Sequence, residues 1–358
     1  MFKFDQLEAA HLEITSRCQA SCPMCPRNFH GGQENPNLKI ADWTYEQFVS
    51  IFTNEVLLQL KSIYFCGNFG DPIINDDLTA MCYYLSTNAP HIEVRIHTNG
   101  GARNEAWWRR LYSSLPEKHV VIFALDGLED THSLYRIGTK YETVVRNAKA
   151  FIDEGGIAEW VFIKFKHNEH QAEEAERRSK ELGFQRFTVK NTIRFIGETK
   201  FDVLDKDGNT LYYLEPPSNI EVTLIDANTI ARFDEWYAET EVDCYALKKK
   251  EIYIDAHCNV FPCCFLASAP YNHSNARSIV ANIRAKIVDQ YHELINDIGG
   301  IESLSATSHG IKKILNSDSW QGVWNTYWNE KKLITCARTC GKSKLSKPSD
   351  QFVKRISN

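Results

Sequence analysis

The sequence lacks long hydrophobic runs and an excess of basic residues. No run of about 18 apolar residues occurs, the length that a helix needs to cross a bilayer, so we expect no membrane contact. Residues 1–18 lack the continuous apolar segment of a secretory signal peptide, and we expect a cytoplasmic protein. The net charge is −5, and no basic stripe with interleaved aromatic residues occurs, which argues against a nucleic-acid partner.

Internal repeats and low-complexity segments are also absent. The 358 residues, of which 43% are hydrophobic and 24% charged, are enough for one large domain and one small domain. What the sequence does contain is eleven cysteines. In a reducing compartment these are expected to be metal ligands, catalysts or buried thiols rather than disulfides. Three lie within residues 18–25 and six within residues 244–340, which predicts two cysteine-using regions separated by a scaffold.

The scaffold alternates apolar runs with helical patterns. Runs typical of buried strands occupy residues 11–15, 62–66, 92–97, 119–125, 160–165 and 187–190. Helical patterns lie between them, at residues 45–54, 77–85, 104–113, 141–154 and 169–182. Asp76 or Asp77 and Asn168 are candidate N-caps. This alternation predicts an α/β fold with a parallel sheet, open or curled into a partial barrel, whose functional residues follow the strand ends.

The pattern changes after about residue 195. Residues 199–213 are predicted to form a hairpin around Asp207 and Gly208, a favourable turn pair, and a linker begins at Glu215. Short strands are predicted at residues 252–254 and 260–261, and helices at residues 279–296 and 319–329. The predicted units are a core at residues 1–205, a hairpin and linker at 206–240, a cysteine-containing domain at 241–345 and a basic tail at 346–358.

Three cysteines follow the first predicted strand in the spacing CxxxCxxC. Cys18, Cys22 and Cys25 share one loop, and three thiolates from one loop are able to wrap three corners of a cubane iron–sulfur cluster. Because such clusters are normally held by four cysteines, a set of three leaves one iron open for a substrate or cofactor, as in catalytic zinc sites. A zinc ion with a distant fourth ligand, or three unrelated thiols, are the alternatives on spacing alone.

The other strand ends carry small and polar residues that suit a bound cofactor. Glycine allows the backbone to approach a ligand closely, and arginine clamps a carboxylate with two parallel hydrogen bonds. An ordinary turn is the alternative for each motif taken alone, and for Lys164 it is an ion-paired surface lysine. The candidate cofactor-binding residues after the second to fifth strands are Gly67, Asn68, Gly70, Asp71, Thr98, Asn99, Asp126, Arg136 and Lys164.

Together these motifs resemble those of the radical SAM superfamily, over roughly residues 8–200. The resemblance implies a partial (β/α)6 barrel in which the three cysteines of the CxxxCxxC loop hold a [4Fe–4S] cluster. The fourth iron would take the amino and carboxylate groups of S-adenosylmethionine (SAM). Residues 69–72 resemble the Gly-Gly-Glu-Pro motif, whose backbone meets the SAM amino group, and Arg136 resembles a carboxylate-binding arginine.

Other positions identify a subgroup and mark departures from the family pattern. Residues 98–100 and 125–127 resemble strand-end motifs of members that carry auxiliary clusters. Met24 stands where an aromatic residue is usual beside the adenine of SAM, and it is a further candidate for cofactor binding. Asp71 replaces a glutamate, and Ala124 replaces a serine that touches SAM, which puts one contact in doubt.

The later cysteines resemble the ligands of a twitch domain, the shortened form of the SPASM domain, which holds one auxiliary [4Fe–4S] cluster. By position the implied ligands are Cys244, Cys263, Cys336 and Cys340. Cys258 and Cys264 compete with Cys263 for that role. A structural zinc is the alternative, because four cysteines also suit tetrahedral zinc. Cys66 and Cys82 are interpreted as buried thiols.

The resemblance also implies a reaction. The reduced cluster would give one electron to SAM, and the resulting 5′-deoxyadenosyl radical would abstract hydrogen from a substrate, with an auxiliary cluster assisting net oxidation or cross-linking. An external one-electron donor of the flavodoxin or ferredoxin type is the implied partner. Peptide maturation and dehydrogenation of a small molecule are both compatible, and no catalytic residue is assigned. A non-catalytic iron–sulfur or zinc protein is the alternative outside the enzymes.

Overall fold

The main sheet contains six parallel strands that follow one another in space as they do along the chain. The computed structural model describes residues 1–192, 194–195, 199–219, 232–271, 279–342 and 352–357. The six strands are β1 (Ala9–Leu12), β2 (Ser62–Phe65), β3 (Glu93–Thr98), β4 (His119–Ala124), β5 (Ala158–Lys164) and β6 (Arg186–Asn191). Each pairs in parallel with its successor. The predicted α/β fold with a parallel sheet is confirmed.

Helices connect successive strands. They are α1 (Tyr45–Ile51), α2 (Asn54–Leu57), α3 (Leu78–Asn88), α4 (Glu105–Ser114), α5 (His132–Tyr135), α6 (Tyr141–Ile152) and α7 (Ala172–Glu181). A reciprocal pair of hydrogen bonds between Thr44 and Gln47 begins α1. The predicted N-caps do not act as caps. Asp77 precedes α3, but its carboxylate accepts from the backbone N–H of Tyr45 at 2.9 Å, and Asn168 accepts from that of Phe165 at 2.7 Å.

The two faces of the sheet differ because successive strand side chains point to opposite sides. On one face, apolar side chains such as Ile63 on β2 and Ile96 on β3 are fully buried in the core that the sheet shares with the helices. The opposite face carries polar groups, among them Tyr64 and His97, whose hydroxyl oxygen and Nδ1 lie 2.9 Å apart. Positions available to a polar ligand are therefore on this second face and at the strand ends.

The sheet curls around its polar face. Burial lowers the pKa of His97 on β3 to about 3, and the charge of Lys190 on β6 contributes to that shift. The same charge lowers the pKa of Cys66, next to β2, although burial raises it overall to about 11. Arg194, which follows β6, donates to the carbonyl oxygen of Met24 in the loop after β1 at 2.6 Å. The loops that follow the first and the last parallel strand therefore meet, as they do in a partial barrel.

The chain after residue 199 begins with the predicted hairpin and then returns to the main sheet. Strands β7 (Phe201–Leu204) and β8 (Thr210–Leu214) form the hairpin. The two short strands predicted near His257 are also present, as β9 (Glu251–Ile254) and β10 (Val260–Phe261). Strand β9 pairs in parallel with β1, and β10 pairs antiparallel with β9, so the later part of the chain extends the barrel sheet.

The C-terminal region is mainly helical. Its helices are α8 (Phe233–Glu239), α9 (Tyr245–Lys249), α10 (Cys264–Ala267), α11 (Ile279–Asp297), α12 (Ala306–His309), α13 (Ile311–Asn316), α14 (Asp318–Asn329) and α15 (Ile334–Cys340). The expected basic tail contains one more strand, β11 (Phe352–Ser357), which pairs antiparallel with β6. The rest of that tail and residues 220–231 of the predicted linker lie outside the described residues. Among the described helices, none has the length and apolarity to cross a membrane.

Candidate cofactor site and second cysteine group

The three cysteines of the first loop lie together beyond the end of β1. Cys22 is buried, Cys18 and Cys25 are half-buried, and all three pack in one apolar cluster with Met24, Tyr135, Phe165 and Phe195. Burial raises the pKa of Cys18, and the charges of Asp71, Cys22 and Cys25 raise it further. Thiols held this close in an apolar setting ionise readily only beside positive charge, which iron would supply.

A buried carboxylate fixes the glycine-containing loop that follows β2. The Oε1 atom of Glu13 accepts from the backbone N–H of Phe69 at 2.7 Å and of Gly70 at 3.0 Å. The hydroxyl of Tyr253 on β9 donates to the other oxygen of Glu13. Burial raises the pKa of Glu13 to about 6, against these hydrogen bonds, which lower it. Sequence analysis did not identify Glu13, because its partners are distant along the chain.

The two glycines of this loop are required by the packing of the chain itself. A Cβ atom at Gly70 would lie 1.8 Å from the backbone oxygen of Thr15, and one at Gly67 would lie 2.3 Å from that of Gly70. The carbonyl oxygen of Asn68, between them, lies 3.9 Å from the sulfur of Cys25. Close approach of backbone segments requires the two glycines, and it brings the loop to the cysteines.

Asp71 joins the ends of β2 and β3. Its carboxylate accepts from the Thr98 hydroxyl at 2.8 Å and from the backbone N–H of Asn99 at 2.7 Å. Burial raises the pKa of Asp71, while these two hydrogen bonds lower it. The Asn99 side chain donates to the sulfur of Cys18 at 3.5 Å. Thr98 and Asn99, both predicted cofactor contacts, thus connect the loop after β2 to the first cysteine.

Asp126 and Arg136 form an ion pair at the end of β4. The Asp126 carboxylate is fully buried and accepts from Arg136 Nε at 2.6 Å and from the backbone N–H of Ile163 at 2.5 Å. Burial raises the pKa of Asp126, and the charge of Arg136 opposes the increase. The Nη1 atom of Arg136 lies 3.7 Å from the sulfur of Cys22. The ion pair therefore holds the guanidinium beside the three cysteines. It uses Nε, so the other N–H groups of the guanidinium lie outside the ion pair.

Two predicted contacts have other partners. The amino group of Lys164 donates to Asn219 at 3.4 Å at the protein surface, and the structure does not place Lys164 with the cysteine loop. Its neighbour Lys166 forms an ion pair with Glu215 at 2.9 Å, as expected for a surface lysine. The side-chain amide of Asn68 donates to the carbonyl oxygen of Cys264. Only the backbone of Asn68 approaches the cysteines of the first loop. Alternation of side chains placed Lys164 and Lys166 on one side of the strand but did not determine whether that side is the surface.

Four later cysteines form a second group. Burial raises the pKa of Cys336 well above its usual value, and the charges of Cys263, Cys244 and Cys340 raise it further. Cys244 and Cys263 occupy the N-cap positions of α9 and α10, and burial raises the pKa of each thiol.

The two competing cysteines have additional charged neighbours outside the second group. The pKa of Cys264 responds, after burial and the charge of its neighbour Cys263, to Cys66 and Glu251. That of Cys258 responds to burial and to Asp255. All eleven cysteines are free thiols, as expected, and Cys82 is fully buried in the core. Cys66 is half-buried at the end of β2.

The donor sets suit iron–sulfur clusters: three thiols beside an arginine in the first group, and four thiols in the second. In the part of the chain that the structure describes, no three His, Cys, Asp or Glu side chains are grouped so as to hold a single metal ion.

Comparisons with known proteins show the fold. No family model matches the chain, and no curated protein matches it by sequence. Among solved structures, SuiB from Streptococcus suis bound to precursor peptide SuiA is similar, with a TM-score of 0.54 and 15% identity over 88% of this chain and 66% of that chain. SuiB bound to S-adenosylmethionine has a TM-score of 0.51 and 13% identity, over 78% of this chain and 68% of that chain.

Histidine-tagged anSMEcpe with bound AdoMet is also similar, with a TM-score of 0.51 and 15% identity over 90% of this chain and 81% of that chain. These structures are of radical SAM enzymes, and this chain therefore has the radical SAM fold, as the sequence motifs predicted. The chain spans 66% of the length of the SuiB chain that it matches with precursor peptide.

Proposed function

We propose that this protein is a radical SAM enzyme. The observation that carries the proposal is the grouping of Cys18, Cys22 and Cys25 in one apolar cluster, with Arg136 against Cys22 and the glycine-containing loop against Cys25. Cys18, Cys22 and Cys25 would hold a [4Fe–4S] cluster, which would supply one-electron reduction of SAM, cleavage of its S–C5′ bond and hydrogen abstraction from a substrate. A carrier protein with the same cysteines would have no need of a positioned guanidinium.

The residues around the first cysteine group have distinct roles in this proposal. Arg136, oriented by Asp126, binds the SAM carboxylate through its free donor edge, because guanidinium and carboxylate match in geometry. The backbone of residues 67–70 receives the SAM amino group. Met24 and the aromatic side chains packed beside it exclude water from the reacting bond. Asp71 holds the strand ends in register through Thr98 and Asn99.

We also propose that Cys244, Cys263, Cys336 and Cys340 hold an auxiliary [4Fe–4S] cluster. The electrostatic interaction among these four thiols supports this set over one that contains Cys264 or Cys258. Such a cluster would accept the electron of a substrate radical, so that the net reaction is an oxidation or a cross-link. An external flavodoxin-type or ferredoxin-type protein would return electrons to the first cluster.

For the substrate, a peptide has support from one neighbour, since SuiB binds precursor peptide SuiA. Dehydrogenation of a small polar molecule is the second candidate, because the polar face of the barrel, with Tyr64, His97 and Lys190, suits such a ligand. Release of 5′-deoxyadenosine that depends on an added compound, measured over panels of peptides and metabolites, would separate the two.

Metal content and SAM cleavage test the proposed class. After anaerobic reconstitution we expect about eight irons per chain and no stoichiometric zinc. With dithionite, the protein should form 5′-deoxyadenosine from SAM. The Cys22→Ala variant should form none, while Cys82→Ala, which removes a thiol from the distant core, should retain this activity. An iron content of only about four per chain would contradict the proposed auxiliary cluster. Stoichiometric zinc, or undiminished cleavage by Cys22→Ala, would overturn the enzyme assignment.

A further inference from the structure

The sulfur of Cys18 lies among hydrogen-bond donors. The backbone N–H of Ala20 donates to it at 3.4 Å, and the side-chain amide of Asn99 donates at 3.5 Å. The other two sulfurs of the loop differ. Cys22 lies 3.7 Å from a charged nitrogen of Arg136, and Cys25 lies 3.9 Å from a carbonyl oxygen. Among the three, Cys18 is the one that receives a neutral side-chain amide.

Hydrogen bonds to the oxygen of the Asn99 side-chain amide fix the orientation of that amide. The Oδ1 atom of Asn99 accepts from Gln19 Nε2 at 2.6 Å and from the backbone N–H of Gly101 at 2.8 Å. Both partners are donors, so the oxygen of the Asn99 amide must face them and its NH2 group must face Cys18. The backbone N–H of Asn99 is held in turn by Asp71 at 2.7 Å. Asn99 is 5% exposed, which leaves little room for another rotamer.

We propose that Asn99 tunes the reduction potential of the SAM-site cluster through its N–H···S contact with Cys18, and that Gln19 is the positioning residue that orients Asn99. Hydrogen bonds to cluster sulfurs withdraw electron density and raise the potential, and neighbouring residues that orient such groups matter nearly as much as the ligands. The inference rests on the first cluster of the proposed function. It gives Asn99 a contact with the cluster ligand Cys18, whereas the sequence predicted that Asn99 binds SAM.

Gln19 has a second contact that fits this role. Its Oε1 atom lies 3.9 Å from the Cys18 sulfur, which donates to it as a thiol. A ligating thiolate carries no proton, so that contact is lost when iron binds. The contact of Gln19 with Asn99 does not involve the thiol proton and persists. The contribution of Gln19 in the loaded protein is therefore the orientation of the Asn99 amide.

An EPR-monitored redox titration of the reconstituted full-length protein, without SAM, tests the inference. The first cluster is identified by the signal that changes when SAM is later added. We expect Asn99→Ala to lower its midpoint potential, and Gln19→Met, which keeps length but donates nothing, to lower it also. Because Gln19 acts through Asn99, the double variant should have the potential of Asn99→Ala alone. Asn99→Asp, nearly isosteric, should lower the potential further by placing a negative oxygen beside Cys18.

The outcomes separate the inference from the proposed function. Full iron content with an unchanged potential in both Asn99→Ala and Asn99→Asp would overturn the tuning role. An additive decrease in the double variant would overturn the positioning role of Gln19. If the wild-type protein forms no SAM-responsive cluster at all, the proposed function fails and the inference fails with it. Circular dichroism of each variant checks that the fold is intact, and Gln19→Met leaves the buried Asn99 side chain in place.

Discussion

The glycine-containing loop after β2 can form only because Gly70 has no side chain. A methyl group there would overlap the backbone oxygen of Thr15, which cannot move without disturbing the end of β1. We expect Gly70→Ala to lower the free energy of unfolding by about 3 kcal/mol, as forced overpacking does. Urea denaturation of the iron-free protein measures this value.

Gly322 provides the matched control for that substitution. It lies in α14, and a Cβ atom at this position would meet nothing within 4 Å. Because alanine favours helix more than glycine does, Gly322→Ala should raise the free energy of unfolding by up to about 1 kcal/mol. If both substitutions changed the free energy of unfolding equally, the loop around Gly70 would have to accommodate a methyl group. Close packing would then not explain the glycine.

Adjacent cysteines provide a second residue-scale test. After burial, the charges of Cys244 and Cys340 raise the pKa of Cys263, whereas those of Cys263, Cys66 and Glu251 raise that of Cys264. Anaerobically reconstituted Cys263→Ala should therefore lose about four irons, and Cys264→Ala should retain its full iron content. Iron analysis with Mössbauer spectroscopy distinguishes the two results. If Cys264→Ala alone loses iron, the ligand is Cys264 and the proposed assignment to Cys263 is wrong.

Glu13 connects three elements: it follows β1, holds the loop after β2, and accepts from Tyr253 on β9. Burial raises its pKa from 4.5 to about 6. A carboxyl whose pKa is higher in the folded protein is stabilising when protonated, so this stability is present below pH 4.5 and is lost as the pH rises towards 6. A difference of about 1.5 pKa units corresponds to about 2 kcal/mol.

Glu13→Gln removes this pH dependence and keeps the shape of the side chain. Relative to the variant, the wild-type protein should become less stable by about 2 kcal/mol between pH 4 and pH 7. Urea denaturation of the iron-free proteins at both pH values measures the change. Glu251→Gln is a control, because burial also raises the pKa of this half-buried carboxyl, which lies on β9 and not in the glycine-containing loop. Parallel pH curves for wild type and Glu13→Gln would contradict the assignment.

The elements that sequence analysis predicted well are those defined by local patterns. The six barrel strands and the hairpin at Asp207 are apolar runs and a turn pair, and each is recognisable without knowledge of its neighbours. Asp77 occupies the N-cap position of α3 as predicted, but its carboxylate accepts from the distant backbone N–H of Tyr45 instead of capping the helix. The role of Glu13 and the pairing of β9 with β1 depend on contacts over some 240 residues, which no local pattern contains.

At the scale of the whole molecule, the same long-range contacts bind the C-terminal region to the barrel. Ile252 and Ile254 on β9 are fully buried beside β1, and the indole of Trp43 donates to the carbonyl oxygen of Asp255 at 3.0 Å. Burying two isoleucines contributes about 4 kcal/mol, which is a large fraction of the roughly 5 to 15 kcal/mol by which folded proteins are stable. We therefore expect the regions on the two sides of the predicted boundary near residue 241 to fold together.

This contact predicts that the barrel and the cysteine-containing region unfold as one unit. Fragment 1–219, which lacks β9, should show no cooperative urea transition, whereas fragment 1–342, which keeps β9 and lacks only β11 among the described strands, should unfold in a single transition like the full chain. Far-UV circular dichroism and tryptophan fluorescence should give coincident curves for the full chain. A cooperative transition in fragment 1–219 would show that the barrel folds alone and that the later strands only dock onto it.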